Sequence, residues 1–113
     1  MKIIENRITR NELKEMAERL FGDMVKAVVD VRQRIMVVDA ELHADQESYL
    51  LQNGSKQEHL WGINLYPEAQ GDDFVEFNSM INVRPSQGNR SLTIDDPDVR
   101  KQIIDIVNDL VES

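Results

Sequence analysis

Residues 24–40, M-V-K-A-V-V-D-V-R-Q-R-I-M-V-V-D-A, limit the fold more than any other stretch. Two periods compete in it. Met24, Val28, Val31, Ile35 and Val38 follow a heptad-like stripe, whereas Val25, Ala27, Val29 and Val31 alternate. The density of valine favours strand. Side chains branched at Cβ lose rotamer freedom in a helix and suit a pleated surface. The stretch therefore reads as a hairpin, with strands near 24–31 and 35–40 turning at Arg32–Arg34. The turn lacks the Gly or Asn that short hairpin loops prefer.

The flanking segments supply a sheet and its cover. Ile3 and Ile4 read as a short first strand. Thr9 to Glu12, T-R-N-E, matches a capping box. Leu13, Met16, Ala17 and Leu20 follow at helical spacing, and Gly22 is a stop. Residues 43–52 read as a short helix with Asp45 as cap and Gly54 as stop; the rival is a strand ending in the Asn53-Gly54 turn. In H-L-W-G-I-N-L-Y, Trp61, Ile63 and Leu65 share one strand face. In F-V-E-F-N-S-M-I-N-V, Val75, Phe77, Ile81 and Val83 face one way and Glu76, Asn78 and Asn82 the other. That predicts a half-buried strand antiparallel to the previous one, with its polar row a solvated face. Asp96-Pro97-Asp98 opens a last helix, whose buried stripe is Val99, Ile103, Ile106, Val107 and Leu110. The expected fold is α+β, in the order β-α-β-β-α-β-β-α. It is a single domain over 1–113, with an antiparallel or mixed sheet of about five strands and three helices.

Charge narrows the partners. Thirteen Lys and Arg against 21 Asp and Glu leave a net charge of −8. Nucleic-acid binding draws most of its affinity from clustered cations, and no dense basic cluster is present, so no nucleic-acid partner is expected. No apolar run approaches the length of a membrane span, and the charged start M-K-I-I-E-N-R does not resemble a signal peptide. A cytoplasmic location without membrane partners is the expectation. The absence of cysteine removes disulfides and thiolate metal sites.

Three stretches carry residue types that do chemistry. In N-V-R-P-S-Q-G-N-R-S, residues 82–91, Arg84 and Arg90 offer planar donor forks, and Ser86, Gln87, Asn89 and Ser91 add neutral donors. A phosphate or carboxylate suits such a set. The alternative, favoured on general grounds, is a polar loop tied down by its own side chains. The spacing matches neither a P-loop nor a dinucleotide fingerprint. In E-L-H-A-D, Glu41, His43 and Asp45 alternate, so an extended backbone would put all three on one face as an acid–base pair or metal ligands. One histidine with two carboxylates lacks a zinc pattern. The bland alternative is a capping Asp45 and an exposed His43, and neither metal nor cofactor is expected. Trp61, with Lys56 and His59 nearby, can stack on a ligand, though a lone tryptophan on an alternating strand is more often core. No nucleophile assembly stands out.

At H-L-W-G-I-N-L-Y-P-E and N-V-R-P-S-Q-G-N-R-S, with E-L-H-A-D upstream, the chain resembles a family of small bacterial and archaeal proteins of unknown function. The resemblance covers most of the chain. It implies a compact α+β domain and carries over no catalytic residue. Two functional expectations follow from the residues. One is a non-enzymatic binding or interaction domain, with homodimer pairing through a sheet edge or face. The other is an enzyme or sensor for a small anionic ligand, with the 82–91 loop, Trp61 and His43 lining the pocket.

Overall fold

The missing turn signal at Arg32–Arg34 is supplied by Asp30. In the computed structural model, which describes residues 1–113, the Asp30 carboxylate folds back over the turn. Its Oδ1 accepts from the Arg32 and Gln33 amides at 2.9 and 3.0 Å. An aspartate that satisfies the amides two and three residues on acts as a turn in itself. Arg34 closes the reversal with φ of 58°.

In chain order the elements are β1 (Lys2–Ile4), β2 (Ile8–Thr9), α1 (Arg10–Arg19), β3 (Val25–Asp30) and β4 (Ile35–Val38). They continue as α2 (His43–Gln52), β5 (Leu60–Leu65), β6 (Val75–Glu76), α3 (Pro97–Leu110) and β7 (Val111–Glu112). Five strands make one antiparallel sheet in the order β1-β4-β3-β5-β6. The remaining two, β2 and β7, form a small parallel pair, Ile8 opposite Val111, that the sequence did not announce.

The helices sandwich the sheet. On one face Val25, Ala27 and Val29 of β3, with Trp61, Ile63 and Leu65 of β5, pack against Leu13, Met16 and Ala17 of α1 and the α3 stripe. On the other, Val28, Val37 and Leu60 meet Leu50 of α2. β3 is thus covered on both sides, which is why its apolar residues do not alternate cleanly. Buried apolar area of this kind is the main stabilising term. Caps fix the helix starts: Thr9 Oγ1 accepts from the Glu12 amide at 3.0 Å, and Asp96 Oδ1 from the Asp98 amide at 2.8 Å. No helix is long and apolar enough to cross a membrane.

Three expectations need correction. The strand expected over 74–83 is only Val75–Glu76, because the chain leaves the sheet and crosses back over it in a helical turn at Met80–Asn82. Asn82, expected on a solvated polar row, is fully buried. Asp45 does not cap α2: the cap position is Leu42, which has no side-chain acceptor, and Asp45 lies exposed in the first turn. E-L-H-A-D is accordingly not extended, and Glu41, His43 and Asp45 do not share a strand face.

Candidate functional site

The loop at 82–91 starts where β6 has ended and β5 is left with an open edge. Gly62 of β5 directs its amide and carbonyl away from β3, with no strand to receive them. The Asn82 side chain takes that place. Its Oδ1 accepts from the Gly62 amide at 2.8 Å, and its Nδ2 donates to the Gly62 carbonyl at 2.9 Å and to the Leu92 carbonyl at 3.1 Å. One carboxamide therefore does what a neighbouring peptide unit would do. Gly62 must be glycine for this approach, since a Cβ there would lie 2.6 Å from the Ser79 Cβ and Oγ.

Two residues on, Arg84 performs the same service at Leu60. Its Nη2 donates to the Leu60 carbonyl, and its Nη1 to the Gln57 carbonyl and to Gln87 Oε1. The guanidinium stacks 4.1 Å from the centre of the Trp61 ring. Burial pulls the Arg84 pKa below its ordinary value, partly offset by the charge of Glu47, and the group stays cationic. Asn89 organises the rest of the loop: Nδ2 donates to the carbonyls of Asn82, Ser91 and Thr93, and Oδ1 accepts from the Asp95 amide. Gly88 turns the chain with φ of 79°.

The two arginines therefore do not share a pocket. Arg84 points inward onto backbone carbonyls, while Arg90 is exposed and makes no hydrogen bond or ion pair. Ser86 is exposed, and Gln87 Nε2 binds the Glu58 carbonyl. Trp61 is buried in the main core. The hollow beside the loop carries Glu58, Asp95 and Asp96 and no cation, a poor setting for an anion. Lys56 and His59 lie elsewhere, with Arg32, around a small depression over Asp30.

The largest concavity is on the second sheet face. α2 covers β3 and β4 there, and the 78–81 segment crosses beyond β5, leaving a cleft of about 460 Å³ between them. Its floor is a row across three strands. Register pairs Lys26 with Asn64 and Asn64 with Glu76. Its walls are Met24, Leu42, Met80, Ile81 and Leu92, with Ser79 and Asn78 beside them. Leu42, Met80 and Leu92 are exposed at the rim, Met80 by 76%. The uncapped first turn of α2 opens on the same cleft through His43 and Ala44.

His43 belongs to this cleft, without Asp45. Its ring is buried, and Nε2 lies 2.7 Å from the Ile63 carbonyl. That contact requires Nε2–H, so the neutral ring keeps Nδ1 as an acceptor, and Nδ1 has no protein partner. Burial, and secondarily Lys26, lower the His43 pKa, while the carbonyl contact opposes them. The imidazole is neutral at pH 7. Asn64 Nδ2 donates to Glu76 Oε1 at 2.8 Å and to the Asn78 carbonyl at 3.1 Å, and its buried Oδ1 has no partner. Tyr66 donates to the same Glu76 oxygen at 3.2 Å. Its phenol is raised above the ordinary range by burial first and then by Glu76 and Asp23.

A family model, described as Protein of unknown function (DUF5674), matches residues 2–110. The chain belongs to that family. The match spans the five-stranded sheet, all three helices and every residue that lines the cleft. No curated protein and no solved structure matches the chain.

Of the cleft residues, sequence reasoning found only His43. Lys26 and Asn64 carried a signal, as polar interruptions of two otherwise apolar strands, V-K-A-V-V and W-G-I-N-L. Met80 and Leu92 carried none, because their exposure depends on where the 78–81 crossing lies.

Proposed function

We propose that this domain binds a small molecule in the cleft between α2 and the 78–81 segment. The observation that carries the reading is the opening itself. A sheet face that α2 buries over β3 and β4 is left open at Lys26, Asn64 and Glu76, with apolar walls around polar groups. Ligand sites combine a concave, mostly apolar wall with a few convergent polar groups, and about 460 Å³ lies within their usual size. The reading is a binding one because no nucleophile is paired with a base in the cleft, and no three metal-ligating groups converge in the structure. An anion held by the 82–91 loop is the weaker reading, since the donors of Arg84 are engaged by carbonyls.

Amide-resolved NMR with a metabolite panel tests this. A ligand is expected to shift Ala44, Asn64 and Ser79. Ala44 is exposed on the first turn of α2, so Ala44→Trp fills the cleft without disturbing the core and should abolish the shifts. Shifts confined to residues 84–91, or undiminished in Ala44→Trp, would overturn the proposal.

A further inference from the structure

We infer that the cleft takes an amino-acid-like zwitterion, its carboxylate toward Lys26 and the first turn of α2, its ammonium toward Glu76. The inference rests on the reading of the cleft as a ligand site. Its basis is the charge order of the floor: a cation on β3, a neutral amide on β5 and an anion on β6, side by side in register.

Neither charge is neutralised by the protein. Lys26 and Glu76 are absent from every ion pair in the molecule. They stand two strand spacings apart, about 10 Å between backbones, too far to pair with each other directly. Lys26 reaches only the Phe21 ring, 5.1 Å away. A dipolar ligand between them meets an opposite charge at each end.

Each end has further groups of the right sense. Near Lys26, α2 begins at His43 with no side-chain acceptor for its first-turn amides, so N–H groups and the positive end of the helix dipole face the cleft. Those favour a carboxylate. Near Glu76 the acceptors collect. Asn64 holds this end in place, its Nδ2 donating to Glu76 Oε1 and to the Asn78 carbonyl. Glu76 Oε1 already receives Asn64 and Tyr66, which orients the carboxylate and leaves Oε2 for the ligand. The apolar walls, Met24, Met80, Ile81 and Leu92, then receive an unbranched or branched aliphatic side chain.

Titration calorimetry and thermal shift with L-methionine and L-leucine test the inference, against N-acetyl-L-methionine and L-methioninamide, which each lack one charge. The free amino acids are expected to bind and raise the melting temperature, and each derivative to bind at least tenfold more weakly. Lys26→Met should erase the preference for L-methionine over its amide. Glu76→Gln, which keeps Oε1 for Asn64 and Tyr66, should erase the preference over the N-acetyl form. Equal binding of the derivatives, or unchanged preferences in both variants, would overturn the inference. If an uncharged compound fills the cleft and no amino acid does, the zwitterion falls and the cleft stands as a site. If nothing shifts the cleft residues, both fall.

Discussion

Replacing Asn82 tests whether one side chain completes the β5 edge. Asn82 is fully buried, and its amide satisfies three backbone groups: the Gly62 amide, the Gly62 carbonyl and the Leu92 carbonyl. Asn82→Ala leaves both Gly62 groups dry, while the Leu92 carbonyl keeps the Ser79 amide as donor. At about 1 kcal/mol each, the low end of the penalty for an unsatisfied buried group, the loss is about 2 kcal/mol. A chain of 113 residues unfolds with an entropy of about 0.24 kcal/mol/K, so the melting temperature should fall by about 8 °C. Asn82→Asp is the sharper variant. The new carboxylate still accepts from the Gly62 amide but meets two carbonyl oxygens where donors stood. Burial and that repulsion raise its folded pKa above the unfolded value of about 4. A group whose folded pKa is raised contributes most below the unfolded pKa and loses that contribution as pH rises through the folded one. Its deficit relative to wild type should therefore exceed that of Asn82→Ala at pH 7.5 and shrink at pH 4.5, while the Asn82→Ala deficit stays constant. Circular-dichroism melts at the two pH values decide. A loss under about 4 °C for Asn82→Ala, or a pH-independent Asn82→Asp deficit, refutes the edge-completion argument.

Four further outcomes are expected. Arg84→Met keeps apolar volume over Trp61 but removes the donor from the buried Leu60 carbonyl, while the Gln57 carbonyl keeps the Leu60 amide, so urea titration should show a loss of about 2 kcal/mol. Gly62→Ala drives a Cβ into Ser79 and should cost about 2 kcal/mol, part of which Ser79→Gly restores, with the coupling read from the double-mutant cycle. Burial works to raise the Asp30 pKa, but four hydrogen bonds together hold it below the usual carboxylate range. The stability they provide is present above about pH 4 and lost as pH falls through the lower folded pKa, and Asp30→Asn should flatten that acid limb of a stability–pH curve. The lowered His43 pKa has the same sign. Stability should fall as pH drops below about 6.5, and the His43 ring should titrate below an ordinary histidine by NMR.

The parts of the fold legible in sequence were those with strong local causes. T-R-N-E and D-P-D dictate helix starts through hydrogen bonds within four residues, and both helices begin there. The hairpin was legible because valine density outweighs an ambiguous period. The strand expected over 74–83 failed because its alternation is real but its cause differs. Phe77 and Ile81 pack inward from irregular backbone, while Asn82 turns in because Gly62 lacks a partner. Nothing in the local sequence tells a buried asparagine that mimics a peptide from a solvated one. Arg84 has the same history. Its donors suit an anion until Leu60 and Gln57 present carbonyls from β5 and the turn before it. The cleft lay further out of reach, since its floor joins residues 26, 64 and 76, which only the strand register brings together.

The crossing segment also bears on how copies of this protein avoid one another. β5, L-W-G-I-N-L, is six residues without charge or proline, the composition from which intermolecular cross-β stacks grow. Past β6, its open backbone groups at Gly62 and Leu60 are capped by the side chains of Asn82 and Arg84. Those two residues are therefore gatekeepers against aggregation as well as elements of stability. A local detachment of residues 79–84, with every helix still folded, uncovers an edge that another molecule's β5 can extend.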